Sequence, residues 1–160
     1  MSLFEEPVSE AGRFFQIELE FTLTASCEAV FKALTQDVDR WWVFRVVEGI
    51  SVMRLDPKVG GLFAEENASG DGRLWGTVEF IERNRRLRLR GPLGMNTAVD
   101  SVYSFMLQPH EGATLLQIEH RAIGDIAHDM GQAHHDGWIS LVIEHLKPFV
   151  ERETAAPPSL

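Results

Sequence analysis

A chain of 160 residues with 44% hydrophobic and 24% charged residues has the size and composition of one globular domain around one core. Its net charge of −9 argues against nucleic acid and anionic membrane as partners, and its single cysteine, Cys27, excludes an internal disulfide and a multi-cysteine metal site. No apolar run approaches the ~18 residues that span a bilayer, and the acidic start MSLFEEPVSE lacks a basic-then-apolar signal pattern, so a cytoplasmic location is expected.

Residues 1–12 contain few core formers and are expected to be a flexible lead-in to a single domain over 13–153. Residues 13–25 alternate, with Phe15, Ile17, Leu19, Phe21 and Leu23 on one side and Gln16, Glu18, Glu20, Thr22 and Thr24 on the other. That period of two predicts a strand with one buried face. Ser26 is an N-cap for a short helix over CEAVFKALT, and residues 37–42 read as a further helical turn or two ending at Trp41-Trp42. The β-branched run 46–55 predicts a strand, closed by the turn Asp56-Pro57-Lys58-Val59-Gly60-Gly61. Further strands are predicted over 62–67, 73–82 and 85–90, with the 62–67 and 73–82 pair joined by the hairpin turn Ser69-Gly70-Asp71-Gly72. Gly91-Pro92-Leu93-Gly94 breaks the chain. A last long hairpin follows over 98–108 and 113–123, and residues 154–160 are expected to be a disordered tail.

Residues 128–152 are the only stretch long enough for a substantial helix. Trp138, Leu141, Val142, His145 and Phe149 fall on one line, and Ile139, Val142, Ile143, Leu146 and Val150 on another, giving a wide apolar stripe that must be buried. Strand, two short helices, six strands and a long helix imply an antiparallel α+β fold.

These stretches resemble the START-like (SRPBCC) superfamily. Within it they resemble the family of homologues of the activator of heat-shock protein ATPase. The resemblance is carried by FTLTASCEAVFKALT, Trp42, the D-P-K-V-G-G turn at 56–61, GTVEFIERNRRLRL, TLLQIEH and the Gly137-Trp138 pair, and it spans about residues 14–152. It implies the helix-grip fold: a seven-stranded antiparallel sheet curved round the C-terminal helix, with an elongated cavity between them. It implies no single activity, because the superfamily includes carriers, cyclases and oxygenase subunits.

Three functional readings follow. The first is a binding protein for a small hydrophobic or amphipathic molecule, without a cofactor or metal. Its candidate walls are Trp138, Trp42, Phe63, Tyr103, Phe105, Leu116 and Ile118, and its candidate polar contacts are His134, His120 and Ser101. The second is an enzyme in which His134 or His120 moves protons. The third, implied by the resemblance alone, is an interaction protein related to chaperone activators. The 12 residues before the first strand do not accommodate the additional N-terminal domain of the eukaryotic activators. Bland alternatives stand beside each site residue. His134 with His128 and His135 would be a solvated helix start, His120 a buried imidazole bonded to its surroundings, and the tryptophans ordinary core. The arginines at 86, 88 and 90 alternate with Leu87 and Leu89, which predicts an outward basic stripe. Glu65 and Glu79 are possible inward carboxylates whose side the alternation leaves open. A homodimer is compatible with the reading, and no membrane or nucleic-acid partner is expected.

Overall fold

The computed structural model describes residues 13–155, so the expected lead-in over 1–12 and residues 156–160 of the expected tail lie outside the described residues, while residues 154 and 155, expected in that tail, continue the terminal helix. The elements are β1 (Arg13–Leu23), α1 (Cys27–Leu34), a 3-10 turn (Val38–Arg40), β2 (Ser51–Leu55), β3 (Leu62–Asn67), β4 (Gly72–Glu82), β5 (Arg86–Arg90), β6 (Val99–His110), β7 (Ala113–Gly124) and a terminal helix. The strands form one antiparallel sheet in the order β1-β7-β6-β5-β4-β3-β2. This is the antiparallel α+β arrangement that the element order implied and the seven-stranded helix-grip fold that the resemblance implied.

Because β1 and β2 occupy opposite edges, the connection between them must cross the whole sheet. That crossing carries α1, the 3-10 turn and an irregular loop. α1 starts where Ser26 Oγ accepts the Ala29 N–H at 3.0 Å, and it buries Val30, Phe31, Ala33 and Leu34. Residues 46–50 are not strand, in contrast to the expectation for 46–55; only Ser51–Leu55 pairs with β3. The reason is a side chain. The Glu65 carboxylate accepts the N–H groups of Val46 (2.9 Å) and Val47 (3.0 Å), which a strand would donate to a neighbour.

The two carboxylates left open by alternation take opposite sides: Glu65 shares the inner face with Phe63 two residues before it, and Glu79 follows the inward Val78. The β3–β4 register skips Trp75, so Trp75 and Gly76 are both buried, while Glu65 on β3 faces in and is fully buried. The β4–β5 register skips Glu79, which faces out and pairs with Arg88 and Arg90 at 3.2 and 2.5 Å. The arginine stripe is outward as predicted, and Arg90 also pairs with Asp100.

The terminal helix is α2 (Met130–Leu141), a π-type turn (Val142–Leu146) and α3 (Lys147–Ala155). It begins two residues later than expected and extends past residue 152. Pro148 has no N–H to give the Glu144 carbonyl, and just before it the Lys147 N–H reaches back to Val142 O. The buried stripe is Trp138, Leu141, Val142, Leu146 and Val150. It is narrower than the sequence suggested, since Ile139 and Ile143 stay 36% and 47% exposed. The core between this stripe and the sheet is continuous, from Leu23, Leu116 and Ile118 through Tyr103 and Phe105 to Leu87, Leu89 and Phe63. No helix among the described residues is long and apolar enough to cross a membrane.

Candidate functional site

The helix and sheet do not close completely at the N-terminal half of the helix. A cavity of about 380 Å³ opens there. One wall is the α2 face made by Met130, Ala133, His134, Gly137, Trp138 and Leu141. The opposite walls are Trp42 and the loop residues Phe44, Arg45 and Val46, then Trp75 on the β4 bulge, and the turn Leu93, Gly94, Met95 and Asn96. Further along the helix, Leu146 and Val150 are fully packed. The helix is therefore sealed at its C-terminal end and open where small and polar residues replace large apolar ones.

Aromatic rings form the floor. The Trp42 ring stands nearly perpendicular to Phe63, Trp75 and Trp138, with centroids 5.0, 5.7 and 6.1 Å away. Trp138 also meets Phe105 edge-on at 5.7 Å. Such edge-to-face arrangements are favourable and leave each ring little freedom to turn. At the rim, Phe44 and Val46 are 41% and 47% exposed and form an apolar lip.

Two polar clamps hold that lip. Arg45 donates from all of its guanidinium nitrogens: Nε and Nη2 to Trp42 O, Nη1 to Asp39 Oδ1 and Ser51 O, and Nη2 to Asp39 O. Asp39 Oδ1 also accepts the Met53 N–H at 2.7 Å. On the other side, the buried Glu65 carboxylate accepts from Val46 N, Val47 N, Ser51 Oγ and Trp75 Nε1. Burial pushes the Glu65 carboxyl up, but the bonds from Val46, Ser51, Val47 and Trp75 outweigh it and hold the group below the ordinary carboxylate value.

Behind the cavity lies a buried polar chain. Trp138 Nε1 donates to His120 Nδ1 at 3.1 Å, and His120 Nε2 sits 2.8 Å from Ser101 Oγ. An indole N–H can only donate, so Nδ1 is the acceptor and the ring proton belongs on Nε2, facing Ser101. Burial, with the neighbouring His134 adding to it, pushes the His120 pKa down to about 3. Tyr103 donates its hydroxyl to Trp75 O at 2.9 Å, and burial raises its pKa well above the usual value.

His134 sits on the cavity wall with its ring stacked on Phe15 at 5.6 Å. Its Nδ1 faces Met130 O at 3.2 Å and its Nε2 faces Leu93 O at 3.4 Å. His128 is exposed and lies 3.4 Å from Arg13, while His135 lies 3.3 Å from its neighbour Asp136. Among the described residues no group of three or more His, Cys, Asp or Glu is placed to hold a metal.

Of the ten site residues expected from sequence, Trp138, Trp42 and His134 line the cavity. Phe63, Ser101, Tyr103, Phe105, Leu116, Ile118 and His120 form the packed layer behind it, with the Ser101 and Tyr103 hydroxyls engaged by His120 and by the Trp75 carbonyl. Alternation put these residues on the concave face correctly but could not tell packed concave face from cavity wall. The lining residues not among those ten include Phe44, Arg45, Val46, Trp75, Leu93, Met95 and Met130. One signal for them was present: Leu93 and Met95 are large apolar residues within a Gly- and Pro-rich turn, where they must find cover. Leu93 adopts a left-handed φ of 44° there, while its N–H donates to Trp75 O at 3.0 Å.

Comparison with solved structures places this fold among similar proteins. A protein from Chromobacterium violaceum is 24% identical, with 85% of this chain and 96% of that one covered and a TM-score of 0.64. A protein from Rhizobium leguminosarum is 17% identical over 89% and 97% of the two chains, with a TM-score of 0.67. The structure described as the Aha1 dimer from Colwellia psychrerythraea is 20% identical over 86% and 96%, with a TM-score of 0.61. Among curated proteins none matches this sequence. The family model described as Activator of Hsp90 ATPase homolog 1-like protein matches residues 24–151, which take in the crossing connection, β2 to β7 and nearly all of the terminal helix. The chain belongs to the family of Activator of Hsp90 ATPase homolog 1-like proteins.

Proposed function

We propose that this protein binds a small hydrophobic or amphipathic molecule in the cavity between the α2 half of the terminal helix and the sheet. The observation that carries the reading is the cavity itself: about 380 Å³, walled by Trp42, Trp75, Trp138, Leu93, Met95 and Leu141, with the apolar lip of Phe44 and Val46 at its mouth. That volume lies in the range of small-molecule sites. Burial of apolar ligand surface stabilises by about 25 cal/mol per Å², less the loss of ligand freedom, which makes micromolar affinity reasonable.

A cavity enzyme acting through histidine finds no support in the geometry. His120 has both ring nitrogens engaged by Trp138 and Ser101, and His134 faces two backbone carbonyls, so among the described residues neither histidine is paired with a carboxylate. The relative from Colwellia psychrerythraea is described as a dimer, and on that ground we also propose self-association, checked by light scattering across a dilution series.

The test is a thermal-shift screen of fatty acids, sterols and aromatic metabolites. A binder raises Tm in a dose-dependent manner, because only the folded state holds it. If no class shifts Tm, and a crystal structure shows side chains filling the cavity, the binding reading fails.

A further inference from the structure

We propose that the cavity selects neutral, mostly apolar molecules bearing a hydrogen-bond acceptor, and that this acceptor pairs with the indole N–H of Trp42. The inference rests on the binding reading above and specifies its ligand.

The four tryptophans make the comparison. Trp41 Nε1 donates to Ala33 O at 2.7 Å, Trp75 Nε1 to Glu65 at 3.2 Å and Trp138 Nε1 to His120 at 3.1 Å. Trp42, on the cavity wall and 3% exposed, has no partner for Nε1. It is the only buried side-chain nitrogen or oxygen among the described residues in that condition. A buried donor without an acceptor is unfavourable, and native structures rarely keep one without a reason. Trp42 cannot readily turn to find a partner within the protein, since Phe63, Trp75 and Trp138 all stand against its ring. The nitrogen is covered in this conformation, so pairing with a ligand requires those rings to move.

The other polar groups at the cavity define what the ligand lacks. Arg45 is the cation on the wall, and its guanidinium is taken up by Asp39, Trp42 O and Ser51 O. Arg73, near the rim, is engaged by Met95 O and Asn96. The nitrogens of His134 face carbonyl oxygens. A carboxylate drawn into this site would lose its water and gain no free cation from the described residues, which is costly. A ketone, ester or ether oxygen loses less and gains the Trp42 donor.

Equilibrium dialysis with naphthalene, 2-acetylnaphthalene and 2-naphthoate, on the wild type and on Trp42→Phe, tests this. In the wild type the ketone should bind roughly tenfold tighter than the hydrocarbon, and the carboxylate no tighter than the hydrocarbon. In Trp42→Phe the ketone-to-naphthalene affinity ratio should fall to about one, whatever the variant's absolute affinities. Equal binding of ketone and hydrocarbon, a preference that survives in Trp42→Phe, or tightest binding by naphthoate overturns the inference and leaves the cavity reading intact. Binding of none of the three overturns the inference, while the cavity reading stands or falls by the thermal-shift screen. If Trp42→Phe does not fold, the assigned Trp42 indole resonance in the wild type decides. A downfield shift of its proton with the ketone and not with naphthalene supports the pairing, and its absence overturns it.

Discussion

Trp138 on the terminal helix donates its indole N–H to Nδ1 of His120 on β7, 3.1 Å away in the buried layer behind the cavity. This bond ties the helix to the sheet where the two begin to separate. It also fixes the His120 tautomer and so its bond to Ser101 on β6. The bond makes Trp138 a structural residue and a cavity wall at once.

Removing only the N–H separates these roles. Trp138→Phe keeps a ring against Phe105 and Trp42 but leaves Nδ1 of His120 without a donor, at about 1–3 kcal/mol. Trp138→Ala removes the ring as well and should lose about 3–5 kcal/mol together with ligand binding. Urea denaturation of both variants beside a binding titration measures the two effects. A Trp138→Phe protein as stable as the wild type would mean that the bond contributes nothing.

The depressed pKa of His120 sets a direction for pH. The unfolded imidazole takes up a proton below about 6.5, while the folded one resists until about 3. The unfolded state therefore binds more protons in that window, so stability is fully present above pH 6.5 and falls as pH drops towards 3. Between pH 7 and 5 the loss should be about 2 kcal/mol. The carboxylates held below their ordinary value, Glu65, Glu79 and Glu151, act mainly below this interval. His120→Gln keeps a donor and an acceptor but does not titrate, so its stability should be flatter over the same range. Urea midpoints at pH 7, 6 and 5 check this, and parallel profiles for the two proteins would count against it.

Glu65 should matter more than its distance from the cavity suggests. Glu65→Ala leaves the N–H groups of Val46 and Val47, the Ser51 hydroxyl and the Trp75 indole without their acceptor. The expected loss is about 3 kcal/mol or more. It should appear first as faster hydrogen exchange at Val46 and Val47, since the loop opens before the sheet. Unchanged exchange at those two amides would rule out the clamp.

The two helix glycines should respond oppositely to alanine. At Gly137 a Cβ would lie 3.9 Å from the Phe44 ring, an ordinary contact, so Gly137→Ala should gain up to about 1 kcal/mol of helix propensity. It should also narrow the cavity mouth and weaken binding. At Gly131 a Cβ would lie 3.1 Å from Phe15 Cβ, close enough to push the helix from β1, so Gly131→Ala should be destabilising. Thermal melts of the pair decide, and stabilisation at position 131 would show that the helix start is free to move.

Much of the architecture was legible in the residues alone. Alternation at Phe15 to Leu23, at Leu87 and Leu89, and along Ser101 to Leu107 names the buried face of each strand, because a strand's side-chain period is two whatever it packs against. Helical spacing names the line from Trp138 to Val150, and the Ser26 cap is a local bond between near neighbours.

The cavity was decided by tertiary structure. Which concave residues meet the helix and which face a gap depends on where the helix stops packing, a relation between elements far apart in the chain. Phe63, Tyr103 and Phe105 lie in the layer behind while Trp75 lines the cavity, because a bulge turns Trp75 inward beside Gly76. The lip at Phe44 and Val46 exists because a carboxylate 19 residues from Val46 accepts its N–H group and keeps a β-branched run out of the sheet. Periodicity records the surroundings of a residue along its own element. The bulge, the clamp and the unpartnered Trp42 nitrogen arise from surroundings supplied by other elements, and these become visible only once the chain has folded.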